Sequence, residues 1–328
     1  MTEMENIFKP DDKNIEKAAK MIHEGRTVAF PTETVYGLGA DCFNPKACAS
    51  IFEIKERPLF DPLILHIDDI KKAFMLFKEV PCKAEKLMKK FWPGPLTLVL
   101  PKTEAVPDIV SAGLSTVAVR MPKHPIALAL IRAAECPIAA PSANKFGRLS
   151  PTTAAHVAEQ LGDGPAMILD GGRTTVGVES TIITFHENKP VLLRAGGLAA
   201  EEIEAELGEK VLRPVISGNS LPSAPGCLKK HYAPVAEMKI IKRGDKTEKD
   251  KNTAYMAFSE PPEDCGEYGI VRILSAERNL CEAASNLFYM LHELEKAGVK
   301  KIYAEEMPHT GLGLAIMDRL RRGAVKNN

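Results

Sequence analysis

Between Pro31 and His66 the chain reads PTETVYGLGAD, then a helix-like stretch, then KERPLFDPLILHI. Hydroxyls, glycines, the cations Lys55 and Arg57 and a histidine are thus gathered into one short region. A guanidinium makes planar bidentate contacts and an ammonium supplies a point charge, so such a pair at a rigid helix end suits a polyphosphate. The pair alone has a plainer use, because cations at a helix C-terminus complement its dipole. Two further clusters strengthen the first reading. Ala139-Ala-Pro-Ser-Ala-Asn144 follows an apolar run and leads through Gly147 to Ser150-Pro-Thr-Thr, where hydroxyls and free amides at a helix start favour anions. Asp170-Gly-Gly-Arg173 through Gly177-Val-Glu-Ser-Thr181 repeats the pattern. The Ala139–Asn144 and Ser150 stretch by itself reads equally as turn and capping chemistry. Three at successive strand ends suggest one shared cleft.

The elements that must hold these groups alternate. A buried strand is expected at 27–30, ended by Pro31. Asn44-Pro45 has the N-cap and first-turn signature of a helix that carries Ala47, Ile51, Phe52 and Ile54 inward and stops before Pro58. Further helices are expected near 14–23, 82–91, 125–134, 153–161 and 200–207. Further strands are expected near 63–67, 97–100, 117–121, 138–140, 167–169, 181–184 and 191–194. This pattern predicts an α/β fold with a twisted, mixed sheet.

At 328 residues the chain is long enough for two domains. Its 43 basic and 43 acidic residues balance, so no strong basic field advertises nucleic-acid binding. The seven cysteines are scattered without a CxxC pair, which argues against a zinc site and a disulfide framework and favours reduced, mostly packing thiols. The polar N-terminus has no signal-peptide core, and no apolar run approaches membrane-spanning length. A cytoplasmic protein without membrane contact is expected.

Residues 1–208 form the expected first domain and 209–234 a Ser-, Gly- and Pro-rich linker. Its tip, His231-Tyr232, is unusual for a passive tether, since both side chains can donate hydrogen bonds and cover a ligand. From 235 to 328 the order strand, strand, strand, helix, strand, helix suggests a smaller Rossmann-like α/β domain. Its long helix places Ala284, Leu287, Phe288, Leu291 and Leu294 on one stripe. Gly311-Leu-Gly313 is a weak echo of a dinucleotide fingerprint, with Ile316 where the third glycine belongs, so no nicotinamide cofactor is expected.

PTETVYGLGAD, KxRP with PLILH, FWPGPLT, VAVRMP, PSAN-x-x-G-x-x-SPTT, DGG and GVESTI occur in this order and resemble the YrdC-like family. APG-x-x-x-x-HYAP and AEEMP-x-x-GLG-AI-DRL resemble its long, two-domain form, the L-threonylcarbamoyladenylate synthases. The resemblance implies an open, twisted, mostly mixed sheet with the site in its hollow. It implies condensation of L-threonine, bicarbonate and ATP to L-threonylcarbamoyl-AMP and pyrophosphate, the first step of threonylcarbamoyladenosine formation in tRNA. Such a nucleotidyltransferase reaction needs positioning and charge neutralisation more than a covalent nucleophile. By position, the resemblance implies that Thr34, His66, Arg120, Ser180 and the Ala140 backbone surround threonine. Lys55 and Arg57 would be the catalytic cations. With Asp61, Thr116, Ser142, Asn144, Ser150, Arg194 and Tyr232 they would hold ATP, and Tyr232 with His231 would form a lid. Mg²⁺ would travel with the phosphates rather than occupy a dedicated cage. A downstream threonylcarbamoyl transferase complex is the implied partner, and direct tRNA contact is left open.

Three departures from the family pattern bear on the site. Asp61 stands where asparagine is usual, placing a carboxylate near the nucleotide that would weaken phosphate binding unless a metal or Lys55 offsets it. Ala195 replaces a usual proline, and Cys227-Leu-Lys-Lys230 replaces the usual Met and aromatic character before HY. One rival reading is a YrdC-like RNA-binding or ribosome-maturation module without synthase activity, against which the intact PTET, KxR and PSAN clusters argue. The other is carbamoyl transfer as in hydrogenase maturation, whose acylphosphatase and zinc-finger segments are not visible here.

Overall fold

The computed structural model describes residues 6–213 and 231–325. In the first unit, chain order gives β1 (Ile7–Phe8), α1 (Asp12–His23), β2 (Val28–Phe30), β3 (Gly37–Asp41), α2 (Pro45–Lys55), β4 (Ile64–His66), α3 (Ile70–Leu76), α4 (Cys82–Phe91) and β5 (Leu96–Pro101). It continues with α5 (Asp108–Ser111), β6 (Thr116–Arg120), α6 (Pro125–Ala133), β7 (Ile138–Ala139), α7 (Ala154–Leu161), β8 (Met167–Leu169), β9 (Thr181–His186), β10 (Lys189–Arg194) and α8 (Ala200–Leu207). Helix α2 begins as its sequence dictates: the Asn44 side chain accepts from the amides of Lys46 and Ala47, and Pro45 fills the first turn. Stretches expected to be loop proved regular. Residues 37–41 pair antiparallel with β2 as strand β3. The glycines there serve close packing, since a Cβ on Gly39 would come within 2.6 Å of both Ile138 and Phe30. Helix α3 is set by an Asp69 cap, which accepts from Lys71 N.

The ten strands form one sheet, ordered β1-β8-β2-β3-β7-β4-β6-β5-β9-β10, with parallel and antiparallel pairs mixed as expected. Strand alternation divides its two faces. Leu65, Leu98, Leu100, Val117, Val119 and Ile183 join the main core beneath the helices, whereas Ile64, Val99, Ala118 and Ile182 form a small separate cluster on the other face. That second face is the hollow. Register places Ile64 opposite Ala118 and His66 opposite Arg120, so a histidine and an arginine emerge side by side at its floor.

After the linker, β11 (Glu237–Ile241), β12 (Thr253–Ala257), β13 (Ile270–Ile273), α9 (Leu280–Lys296), β14 (Lys301–Glu305) and α10 (Gly313–Gly323) build the second unit. Its sheet is wholly parallel in the order β11-β14-β12-β13. Met238, Met256 and Ile302 on one face pack with Leu287, Phe288, Ile316 and Leu320 of α9 and α10. This core does not stop at the domain boundary, for it also takes in Val35, Leu149 and Val178 of the first unit and Tyr232. At the join Gly177, at φ +75°, lies where a Cβ would fall 2.5 Å from Ser285 Cα of α9. Cys42, Cys48 and Cys136 are buried thiols, but Cys82, Cys265 and Cys281 are exposed, so packing explains only half of the six described cysteines. Among the described residues no helix is long and apolar enough to cross a membrane.

Candidate active site

The C-terminal ends of β4 and β6, the turn after β2, the segment after β7 and the approach to β9 converge on one cavity of about 50 Å³. Thr34, Arg57, His66, Arg120, Ala140, Ser142, Ser180, Arg194, His231 and Tyr232 all line it, as do Thr32, Tyr36 and Glu179. The three sequence clusters therefore do share one cleft.

At the sheet end, Arg120 is held from three sides. Its Nε donates to Gly94 O at 3.2 Å and its Nη1 to Thr34 Oγ1 at 2.8 Å, while Nη2 lies 2.7 Å from Glu33 Oε1. Thr32 donates its hydroxyl to Val35 O, so the 2.8 Å contact between the two threonines uses the Thr34 proton. The Thr34 oxygen is thereby fixed as the acceptor for Arg120. The Arg120–Glu33 pair is close but lacks hydrogen-bond alignment, and Nη2 has no other hydrogen bond. His66 is neutral: burial, and then the Arg120 charge, push it down to about 3. Its Nδ1 lies 3.3 Å from Ile64 O, a contact that requires the proton on that nitrogen. Ser180 Oγ meets Thr97 Oγ1 at 2.7 Å and receives Arg194 Nη2 at 3.1 Å. Ala140 N is engaged by Ile64 O at 2.9 Å.

The two cations at the end of α2, Lys55 and Arg57, do not both face the cavity. Lys55, 1% exposed, is turned under the loop after β7, where its ammonium donates to Ser142 O and to Asn144 O, the latter at 2.5 Å. Burial and the neighbouring Arg57 charge lower its pKa well below the ordinary lysine value. Arg57 does line the cavity, and its Nη2 pairs with Asp61 Oδ2 at 2.9 Å and donates to Pro62 O at 2.7 Å. The Asp61 carboxylate, expected to oppose phosphate unless a metal or Lys55 offset it, is paired with Arg57. Asn144 Nδ2 closes its loop by donating to Lys145 O and Arg148 O, leaving Oδ1 buried without a hydrogen bond. Ser150 stands behind the wall and donates to Glu179. Thr116 is outside the cavity but on the hollow face, since it shares parity with Ala118 and Arg120; four residues of strand set it roughly 13 Å from Arg120.

The linker tip enters this cleft. His231 and Tyr232 are buried, T-stacked at 4.0 Å, with His231 against Phe146 and Ala233 N donating to Gly147 O at 2.8 Å. Burial and then Arg57 and Lys55 lower the His231 pKa well below its usual value. His231 Nδ1 and Tyr232 Oη are buried with no hydrogen bond. The rest of the expected lid, 217–230, including Cys227-Leu-Lys-Lys230, lies outside the described residues.

Sequence reasoning passed over Glu33, Glu179 and Arg319. Arg319 on α10 is 1% exposed and reaches across to Glu179 Oε2 at 2.7 Å. Both residues stood inside motifs already singled out, GVESTI and DRL, but nothing local links positions 140 residues apart. The cleft's three buried carboxylates thus each have an arginine: Glu33 with Arg120, Asp61 with Arg57, Glu179 with Arg319.

Residues 20–196 match the profile of the Sua5, YciO and YrdC family, described as telomere recombination, and 198–325 match the threonylcarbamoyl-AMP synthase C-terminal domain. The threonylcarbamoyl-AMP synthase of Pyrococcus abyssi is 47% identical over 322 residues, covering 96% of this chain and 95% of that one. This chain belongs to the threonylcarbamoyl-AMP synthase family. The Bacillus subtilis member is 44% identical, covering 96% of this chain and 94% of its own. The fold matches the crystal structure of P. abyssi Sua5 complexed with L-threonine at a TM-score of 0.87 and 45% identity, over 97% and 96% of the two chains. Escherichia coli YciO matches only 58% of this chain, at a TM-score of 0.52 and 26% identity, with 94% of its own length covered. The second unit is what distinguishes the long members.

Proposed function

We propose that this protein condenses L-threonine, bicarbonate and ATP to L-threonylcarbamoyl-AMP and pyrophosphate. The observation that carries the reading is the Arg120 fork, aimed into the cavity by Thr34 and Gly94 O beside neutral His66. Its loosely aligned Nη2 turns from Glu33 to the amino-acid carboxylate, while Thr34, Ser180 and the Ala140 backbone surround the remaining polar groups. Neutral His66 adds no charge to compete for that carboxylate. The threonine amine combines with bicarbonate, losing water, and a carbamate oxygen then attacks the α-phosphorus as pyrophosphate leaves with the electron pair of the broken P–O bond. No residue need form a covalent intermediate. Holding three reactants in line and countering the developing charge are the enzyme's tasks.

Arg57 and Arg194 face the phosphates. Lys55 acts chiefly through the Ser142–Asn144 loop whose carbonyls it gathers; Ser142 addresses the nucleotide from there, while Asn144 closes the loop and Ser150 braces the Glu179 wall behind it. Mg²⁺ arrives as the ATP complex, for the carboxylates around the cleft are already committed to arginines. The buried His231-Tyr232 tip lines the cavity beside Arg57 and Arg194, and it withdraws to admit the nucleotide. Tyr232 sits at φ +61°, a strained conformation for a bulky residue, and each orphaned polar atom of the tip costs about 1–3 kcal/mol. A nucleotide offering partners would relieve that cost on re-closure, and a closed tip would shield the labile mixed anhydride from water. A cytoplasmic setting, with release of product to a threonylcarbamoyl transferase acting on tRNA, completes the reading.

Purified protein with ATP, Mg²⁺, bicarbonate and L-threonine should yield the mixed anhydride by mass spectrometry, with omission of any one substrate abolishing it. Serine, lacking one methyl group, should be poorer by about 1–3 kcal/mol in kcat/KM. Pyrophosphate release undiminished without an amino acid would overturn the proposal.

A further inference from the structure

We infer that Arg319, contributed by the second unit, is a positioning residue of the nucleotide half of the cleft. Its work is to neutralise and orient Glu179, so that a carboxylate in the cavity wall does not oppose the phosphates. The inference rests on the proposed function only in placing ATP in this cleft.

Arg319 is the largest fully buried side chain among the described residues, and every arm of its guanidinium is committed. Its Nε meets Glu179 Oε2 at 2.7 Å, Nη1 meets Asp318 Oδ2 at 2.6 Å, and Nη2 donates to Ala195 O at 3.0 Å, immediately after Arg194. The guanidinium carbon also lies 4.8 Å from the centroid of the Tyr232 ring. One side chain of α10 thus touches the cavity wall, the segment after β10 and the linker tip.

Glu179 is 6% exposed and faces the cavity that holds Arg57 and Arg194. Burial alone would push its pKa up, but Arg319, Arg194 and the Ser150 hydroxyl bring it below the usual carboxylate value, so it is ionised. An ionised carboxylate in such a wall repels a polyphosphate strongly in a low-dielectric site. Paired through Oε2 to Arg319, it presents Oε1 to Ser150 and fixes that hydroxyl's direction. His292 of α9 holds the same residue from behind, its Nε2 donating to Ser150 O at 3.1 Å. The second unit therefore supplies the counter-charge and sets the geometry of a first-unit residue expected to meet the nucleotide. Burying a lone charge this deeply would be costly without its partner, which accounts for the full desolvation of the pair.

The test is calorimetric titration of Mg·ATP, without threonine or bicarbonate, into the full-length chain and three variants. Arg319→Met should raise the Kd for ATP at least tenfold, and Arg319→Met with Glu179→Gln should recover most of that loss, because the offending charge is then gone. Glu179→Gln alone removes no cation and should leave ATP binding equal or tighter. Threonine binding, measured in parallel, should change less than twofold in all three. An unchanged ATP Kd in Arg319→Met, or a double variant as weak as the single one, would overturn the inference, as would a tenfold weakening in Glu179→Gln should Arg319→Met fail to fold. Absence of threonylcarbamoyl-AMP synthesis by the unmodified chain would instead count against the proposed function, since these titrations do not depend on turnover.

Discussion

The two halves of the cleft are built differently. On the side proposed for threonine, Arg120, His66, Thr34 and Ser180 stand on or beside neighbouring strands, and hydrogen bonds within the sheet fix their directions. On the side proposed for the nucleotide, the groups come from a helix end, a loop, the linker and a second domain, and Asn144, His231 and Tyr232 keep buried polar atoms without hydrogen bonds, as Glu33 and Arg120 Nη2 do on the other side. A strand framework preorganises its side chains, whereas a surface assembled from separate pieces can be remade. The contrast implies that threonine meets a formed pocket and that ATP must displace part of the protein.

The strongest way to break this contrast is Arg120→Ala. It removes the guanidinium aimed at the carboxylate and leaves Glu33 buried without its partner, so kcat/KM for threonine should fall on the order of 10²–10³-fold with little change in ATP affinity. Steady-state kinetics with each substrate varied would show it; a collapse confined to ATP would reverse the assignment of the halves. Next comes Arg57→Ala, which takes the guanidinium from buried Asp61 and should cost about 3 kcal/mol of stability in urea melts, besides impairing ATP use. Asp61→Asn should restore part of that stability, and alone should tighten ATP binding by releasing Arg57. A weaker ATP affinity in Asp61→Asn would mean that the pair positions Arg57 rather than restrains it.

Acid pH offers a subtler probe, because it bears on the seam between the domains. His156 of α7 and His292 of α9 stack at 3.8 Å, and burial holds them neutral with pKa values near 3 and near 4. Folded-state values below the unfolded 6.5 mean that the unfolded chain takes up protons first, so stability is intact above about pH 6.5 and falls as pH drops below it. At pH 5 each histidine should cost about 1–2 kcal/mol. His292→Gln should flatten the fall in melting temperature between pH 7 and pH 5; an unaltered slope would acquit the stack. The smallest effect belongs to Thr116→Ala. Lying on the hollow face but beyond the cavity, it should change the ATP KM by no more than about threefold, about 0.7 kcal/mol.

Much of the first contrast could be read in the sequence, since motifs at strand ends report where side chains emerge. The Asn44-Pro45 helix start and the strand and helix order of the second domain follow from local pattern, whereas His66 and Arg120 were brought together only by the family resemblance, since the pairing of β4 with β6 is not local. Strand β3 did not, because its glycines look like loop residues until the crowding at Phe30 and Ile138 is seen. Lys55 was legible as a cation but not as one facing backbone carbonyls. Arg57 was not singled out as the partner of Asp61, although the two stand in an i,i+4 relation, because both cations of the KxR motif were assigned to phosphate. Arg319 was beyond reach, since its meaning depends on a contact between two domains.

The measurement that bears most directly on this account is hydrogen exchange of the peptide spanning His231 to Pro234, whose Ala233 amide is held by Gly147 O. If the threonine half is preformed and the nucleotide half must open, saturating threonine alone should leave exchange at Ala233 unchanged, while Mg·ATP should alter it severalfold. Protection that responds to threonine and ignores ATP would contradict the account.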